Sequence, residues 1–322
     1  MTTTVAERGR NRPDLGKLLS DNGALGGLVV LVVALSIMAP TFLTPQNLLN
    51  VGVQAAVVAV LAFGQTFVIV SGGIDLSVGS VAALSGMVAA WSFTESGLPG
   101  WLALVAGLAT GLAAGVVNGV MVSYGRLPAF IATLAMLSVA RGLTLVVSDG
   151  TPKSTPDEIT ALGSTIGDYL PVPLLVMLLV FGLTGIILTR TYAGRTMYAI
   201  GGNADAARLS GINVRRSTLV VYGLSGLFAA VAGLLLAGRL ASAGPQAAVG
   251  YELDAIAAVV IGGASLSGGV GRATGTFVGA LVLAVLRNGL NQLQVTPFWQ
   301  QVVIGVVIAL AVLFDTLRRR TK

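Results

Sequence analysis

Apolar runs close to twenty residues long recur along this chain, and they decide what it can fold into. They fall near 25–43, 48–70, 77–93, 101–123, 128–147, 171–189, 217–239, 253–266, 273–293 and 298–317. About twenty helical residues, rising ~1.5 Å each, match a hydrocarbon core ~30 Å thick. In lipid every backbone N–H and C=O needs a partner within the segment, which a helix supplies. With 55% of residues hydrophobic and 10% charged, against about 25% charged in soluble domains, there is too little polar surface to cover a water-soluble core. The sequence therefore predicts an all-α polytopic membrane protein of about ten transmembrane helices. The eighth run is short and begins beside two acids.

Charge sets the orientation. Ten spans put both termini on one side. That side then carries Arg8, Arg10, Arg12 and Lys17 in the first tail and Arg318, Arg319, Arg320 and Lys322 in the last. It also carries Arg126, Arg272, Arg190, Arg195, Arg208, Arg215 and Arg216 in its loops, so it holds fifteen of the nineteen basic residues. By the positive-inside rule it is cytoplasmic. The other four are Arg141, Lys153, Arg239 and Arg287. The 148–170 loop, with Asp149, Asp157, Glu158 and Asp168 against one lysine, faces out. The scattered basic residues are topology signals rather than a nucleic-acid groove. The first apolar run is of anchor length without a clear small-x-small site, so it reads as an uncleaved span. The expected organisation is a cytoplasmic tail over 1–24, one transmembrane domain over 25–317, a cytoplasmic loop over 190–216 and a tail over 318–322.

The inventory excludes much chemistry. The chain has no cysteine and no histidine, hence no disulfide, thiolate or imidazole metal site, cysteine nucleophile or Ser-His-Asp triad. Gly107, Gly111, Gly115 and Gly119 form an every-fourth-residue row along one helix face, which admits a second helix at backbone distance. In the 190–216 loop, Asn203-Ala204-Asp205-Ala206-Ala207-Arg208-Leu209-Ser210-Gly211-Ile212 reads as a short capped helix. Asn203 serves as N-cap, Asp205 and Arg208 suit the dipole, and Gly211 is placed for a left-handed C-cap. That helix is either a solvated linker or a docking element for a cytoplasmic partner.

Ile74-Asp75-Leu76-Ser77 aligns with Tyr251-Glu252-Leu253-Asp254, Gly86 then falls on Gly263, and Pro128-Ala129-Phe130 matches Pro297-Phe298-Trp299. The halves, about 48–147 and 217–317, then read as inverted repeats with interrupted helices. Asp75 and Glu252 become equivalent residues at opposite membrane faces, each starting a span. Gly72 and Gly73 permit a tight path before Asp75, which caps the following helix near an interface. As an ionisable group in a span it is alternatively an ion or substrate ligand. Arg141, Arg239 and Arg287 lie at similar depth to Glu252 and Asp254, and either pair and snorkel or line an outer polar vestibule.

Three motifs in order, GGIDLSVGS from Gly72, GNADAARLSGI from Gly202 and IGGASLSGGVGRATGTFVGALVLAVLRNGL from Ile261, resemble the permease subunit of bacterial ABC importers of the ribose/monosaccharide type. The resemblance spans about 25–317. It implies a multi-pass protein of the bacterial cytoplasmic membrane that pairs with a second permease copy or close homologue. It further implies ATP-binding cassette subunits carrying ATP and Mg, and an extracytoplasmic substrate-binding protein. It maps the cytoplasmic coupling helix onto Asn203 to Ile212, and a signature onto Gly72 to Ser77. No G-x-x-x-x-G-K-[ST] loop occurs in the chain, so hydrolysis belongs to a partner and this chain binds no cofactor. The competing reading is an ion-coupled secondary transporter that uses its few carboxylates as relays.

Overall fold

Prolines mark the helix starts. Pro45 opens one helix and Pro297 another, while Pro99, Pro128 and Pro171 each immediately precede one. A missing N–H costs nothing where no intrahelical acceptor exists. The computed structural model describes residues 23–167 and 169–320. The expected first tail, except its last two residues, lies outside them, as do Asp168 and the last two residues of the final tail.

The long helices are α1 (Gly23–Met38), α2 (Pro45–Val70), α3 (Val78–Thr94), α4 (Gly100–Ser123) and α5 (Ala129–Ser148). After the short α6 (Asp157–Thr160) come α7 (Val172–Arg190), α8 (Tyr192–Gly202), α9 (Ala204–Leu209) and α10 (Val214–Leu240). The chain closes with α11 (Tyr251–Ile261), α12 (Ala273–Gln292) and α13 (Pro297–Arg320). Among the described residues six helices, α2, α4, α5, α7, α10 and α12, are long and apolar enough to cross a membrane. The fold is therefore an all-α polytopic membrane protein.

Helices α2 and α10 form the centre. Over its most apolar stretch α2 is 89% buried, against 28% for α5 and α7. It packs on α10, α11, α12 and α7, while α10 also packs on α4 and α3. The peripheral helices turn Val105, Leu112 and Val116 of α4, Val139 and Val146 of α5, and Leu179 and Ile186 of α7 outward. Such apolar surface suits lipid rather than water.

The remaining strands are short ties. β1 (Lys153–Ser154) pairs antiparallel with β4 (Ser242–Ala243), in the register Lys153 to Ala243. β2 (Thr165–Ile166) pairs with β3 (Leu170–Pro171). The first pair binds the connection after α5 to the one after α10, on the face where Lys153 Nζ also meets Glu95 Oε1 at 2.7 Å. The opposite face carries α8 and α9.

Two connections leave these faces and enter the interior. Residues 71–77 start beside Gly201 of α8, since a Cβ on Gly72 would stand 3.7 Å from the Gly201 Cα. They end at the start of α3, where Gly79 abuts the Glu252 carboxylate and the Ala248 carbonyl. Residues 241–250 start at the β1–β4 face and arrive at the same place. The first turns of α3 and α11 thus meet inside the protein and the two helices leave toward opposite faces. Helix α11 is 11 residues long, ~16 Å, or about half a bilayer core. This corrects the expectation that Asp75 and Glu252 sit at opposite membrane faces: the chain runs inward from each face, and the two carboxylate-bearing segments converge.

Candidate functional site

Asp75 is 1% exposed, so it is shut off from solvent inside the protein. It is not the cap of α3. The N-cap is Ser77, which makes no side-chain capping bond. Instead Asp75 Oδ1 accepts from the Ser77 N–H at 2.9 Å and from the Ser77 hydroxyl at 2.6 Å. Its Oδ2 accepts from the Ser225 hydroxyl of α10 at 2.9 Å. The backbone bond two residues ahead is an Asx turn, which bends the chain into the helix without the aspartate being its cap. Buried carboxylates demand such partners.

The network reaches five helices. Ser77 Oγ accepts from Asn118 Nδ2 of α4 at 2.9 Å. Thr133 of α5 donates to the Ile74 carbonyl at 3.3 Å. With its amide turned to satisfy both groups, Gln65 of α2 donates to the Asp75 carbonyl at 3.2 Å and accepts from the Asp75 N–H at 3.1 Å. The Tyr222 hydroxyl of α10 lies against Gly73, whose Cβ would stand 2.7 Å from it. Sequence reasoning missed Gln65, Asn118, Tyr222 and Ser225. Gln65 and Asn118 carried the signal, because an amide inside an apolar run needs a buried partner. Ser225 and Tyr222 carried none.

Around the start of α11 the acids and arginines divide differently. Asp254 Oδ2 pairs with Arg287 Nη2 of α12 at 2.8 Å, and the Arg287 guanidinium stands 5.9 Å over the Tyr251 ring. Arg141 of α5 donates to the Pro245 and Ala247 carbonyls at 3.1 and 2.9 Å, pinning the inward connection from the side. Glu252 Oε1 accepts from the Gly250 N–H at 3.3 Å. The structure does not bring Arg239 into this group. Two helix N-termini, each a partial positive charge, converge here, with Glu252 and Asp254 in the first turn of α11 and Asp75 two residues before the N-cap of α3.

The segment around α8 and α9 reaches the connection after α2 and the one after α11. Gly201 packs on the Val70 carbonyl, and a Cβ there would stand 2.5 Å from the Gly269 nitrogen. The Gly269 N–H donates to the Val70 carbonyl at 2.9 Å. Tyr198 Oη donates to the Gly271 carbonyl at 2.7 Å. A side chain on Gly201 would separate these backbones.

Helix α9 is capped at both ends. Asn203 Oδ1 accepts from the N–H groups of Asp205 and Ala206 at 3.0 and 2.9 Å. Gly211 has φ +85°. Its N–H reaches the Arg208 carbonyl at 3.0 Å while that of Ile212 reaches Ala207 at 3.1 Å, the paired bonds of a Schellman motif. Leu209 is 90% exposed at the tip whereas Ala207 is buried beneath. Ala204, Asp205, Ala206, Arg208 and Ser210 line the rest of the helix, with Arg208 and Asp205 paired at 3.1 Å in solvent.

The glycine row of α4 faces inward. Cβ atoms on Gly107 and Gly119 would stand 2.9 Å from Ser85 O of α3 and Leu219 Cα of α10. One on Gly111 would meet the Gly226 carbonyl at 2.5 Å, and one on Gly115 would overlap the Tyr222 carbonyl. Gly226 answers Gly111 and Gly115 from α10, so the two backbones touch.

These arrangements occur in a chain that matches a family model over residues 47–312, described as the permease component of a branched-chain amino acid transport system. The chain belongs to this permease family. The permease is 45% identical over 324 residues to the ribose import permease protein RbsC of Bacillus subtilis (strain 168), covering 98% of each chain. It is 37% identical to the L-arabinose transport system permease protein AraH of Escherichia coli (strain K12), covering 99% of each. It is 39% identical to the xylose transport system permease protein XylH of the same strain, covering 87% of each.

Proposed function

We propose that this chain is the membrane subunit of an ATP-driven ABC importer that carries a monosaccharide of the ribose type into the cytoplasm. The observation that carries this reading is similarity along almost the whole chain to a ribose permease, joined by arabinose and xylose permeases. The subunit performs no covalent chemistry and holds no cofactor; ATP and Mg belong to separate ATPase subunits. An extracytoplasmic binding protein delivers the sugar, and a second permease copy or close homologue completes the path. The protein spans the bacterial cytoplasmic membrane ten times, as inverted repeats over about 48–147 and 217–317, with both termini and 190–216 in the cytoplasm.

Coupling runs from α9. Residues 203–212 dock on the ATPase, with Leu209 entering its surface. A pull on that loop reaches residues 70–73 and 269–271 through Gly201 and Tyr198. It also reaches Asp75 along α10, whose Ser225 holds the carboxylate. One loop thereby drives the segment leading into α3 and the segment leaving α11, and the junction of Gly79 with Glu252 is where the two helix starts separate or close. Gly72, Gly73, Asp75, Ser77, Glu252 and Asp254 form this gate beside the sugar path.

Reconstitution with the ATPase and binding protein in proteoliposomes tests the reading. ATP-dependent uptake of labelled ribose, competed by arabinose or xylose, is the expected result. Uptake that needs no ATP and follows an ion gradient would replace it with ion coupling.

A further inference from the structure

Beside the coupling loop lies a cavity of about 410 Å³ between α8 and the first two turns of α10, within the ~300–1,000 Å³ range of small-molecule sites. Its wall carries Arg216 and Ser217 from α10, the α10 N-cap Asn213 and Thr196 from α8, with no acidic side chain in the lining. Arg216 forms no salt bridge among the described residues, whereas neighbouring Arg208 is paired with Asp205. Tyr192 and Val220, 65% and 42% exposed, line the cavity as well.

Position sets the ligand class. The cavity sits where α7 has just ended at Arg190 and α10 has just begun at Val214, two helices of membrane-crossing length. That is the level of the lipid headgroups. Val220 lies six residues along α10, ~9 Å further into the apolar zone. The cavity therefore offers an unpaired guanidinium, hydroxyls and the Tyr192 ring at headgroup depth, and the aliphatic side chain of Val220 at acyl depth. An amphiphile with an anionic head fits both ends; a soluble anion uses only one.

We propose that this cavity binds one anionic phospholipid, its phosphate on Arg216 and its polar head against Ser217 and Thr196, with the acyl chains leaving past Tyr192 and Val220. A guanidinium presents two parallel donors to a phosphate, and basic pockets between membrane helices on the cytoplasmic side take such headgroups. The lipid would brace α8 against α10 on either side of the coupling helix. The site is independent of the sugar transported.

The test is native mass spectrometry of the full-length permease released from nanodiscs of 4:1 phosphatidylcholine to phosphatidylglycerol. The wild type is expected to retain one phosphatidylglycerol in preference to phosphatidylcholine. Arg216→Gln lowers that retention at least about fivefold, and Ser217→Trp, which fills the cavity, does the same. Arg216→Lys keeps most of it, and Arg195→Gln, an exposed arginine of the same helix pair outside the lining, leaves it unchanged. Circular dichroism checks that each variant is folded; if Arg216→Gln is not, the tryptophan variant decides. Equal loss with Arg195→Gln would reduce the effect to surface charge and overturn the proposal, as would equal retention of the two lipids. Displacement of the lipid by millimolar inorganic phosphate would assign the site to a soluble anion, and displacement by the ATPase would assign it to that subunit. Either also overturns it. None of these outcomes depends on sugar uptake, so failure here leaves the transport reading standing.

Discussion

Substitution of Asp75 separates a buried hydrogen-bond hub from a charge needed for transport. Asp75→Ala removes the acceptor of three buried donors, the Ser77 N–H and the hydroxyls of Ser77 and Ser225. An orphaned buried donor costs about 1–3 kcal/mol. The N–H is fixed and bears the full cost, while each hydroxyl can rotate and sits near the low end, giving about 3–5 kcal/mol in all. A surface helix cap would cost only ~1 kcal/mol. Asp75→Asn keeps one oxygen for both Ser77 donors and presents its amide to Ser225, whose hydroxyl turns and accepts. The amide loses charge-assisted bond strength and sheds the cost of burying a charge, for a net of roughly 1 kcal/mol. The assay is the thermal midpoint of the purified permease in detergent, together with initial uptake rates per inserted protein. Asn should stay within a few degrees of wild type and keep most uptake. Ala should fall on the order of 10 °C and lose most of it. Equal, severe loss of uptake in both, with the Asn midpoint preserved, would show that the charge itself is required and refute the hub.

Gly115→Leu should prevent stable assembly, because even a Cβ overlaps the Tyr222 carbonyl; a wild-type yield and midpoint in detergent would contradict the contact. Gly201→Ala should leave insertion intact and cut uptake at least about tenfold by pushing α8 off Val70 and Gly269, with unchanged uptake as the contrary result. Leu209→Asp should abolish ATPase co-purification while the permease itself keeps its midpoint, since Leu209 is 90% exposed; retained ATPase would move the docking surface elsewhere. A single cysteine replacing Ala206 should be labelled by an impermeant maleimide only after cells are opened, and labelling of intact cells would invert the topology.

The sequence by itself determined the membrane class, because hydropathy is a property of each segment and lipid leaves helices as the solution. It determined the caps of α9 as well, since Asn203 and Gly211 act on backbone groups within three residues. It drew attention to the Asp75 and Glu252 segments through their shared pattern. It did not locate them: an acid after two glycines reads equally as a surface cap or a buried hub. What decided between these were partners 41 and 150 residues away, Asn118 to Ser77 and Ser225 to Asp75. Those contacts exist only because glycines at 111, 115 and 226 let α4 and α10 approach closely enough to wall in the start of α3. Local chemistry fixes elements and their ends. Depth, convergence and partnership follow from how the helices pack, which no single segment encodes.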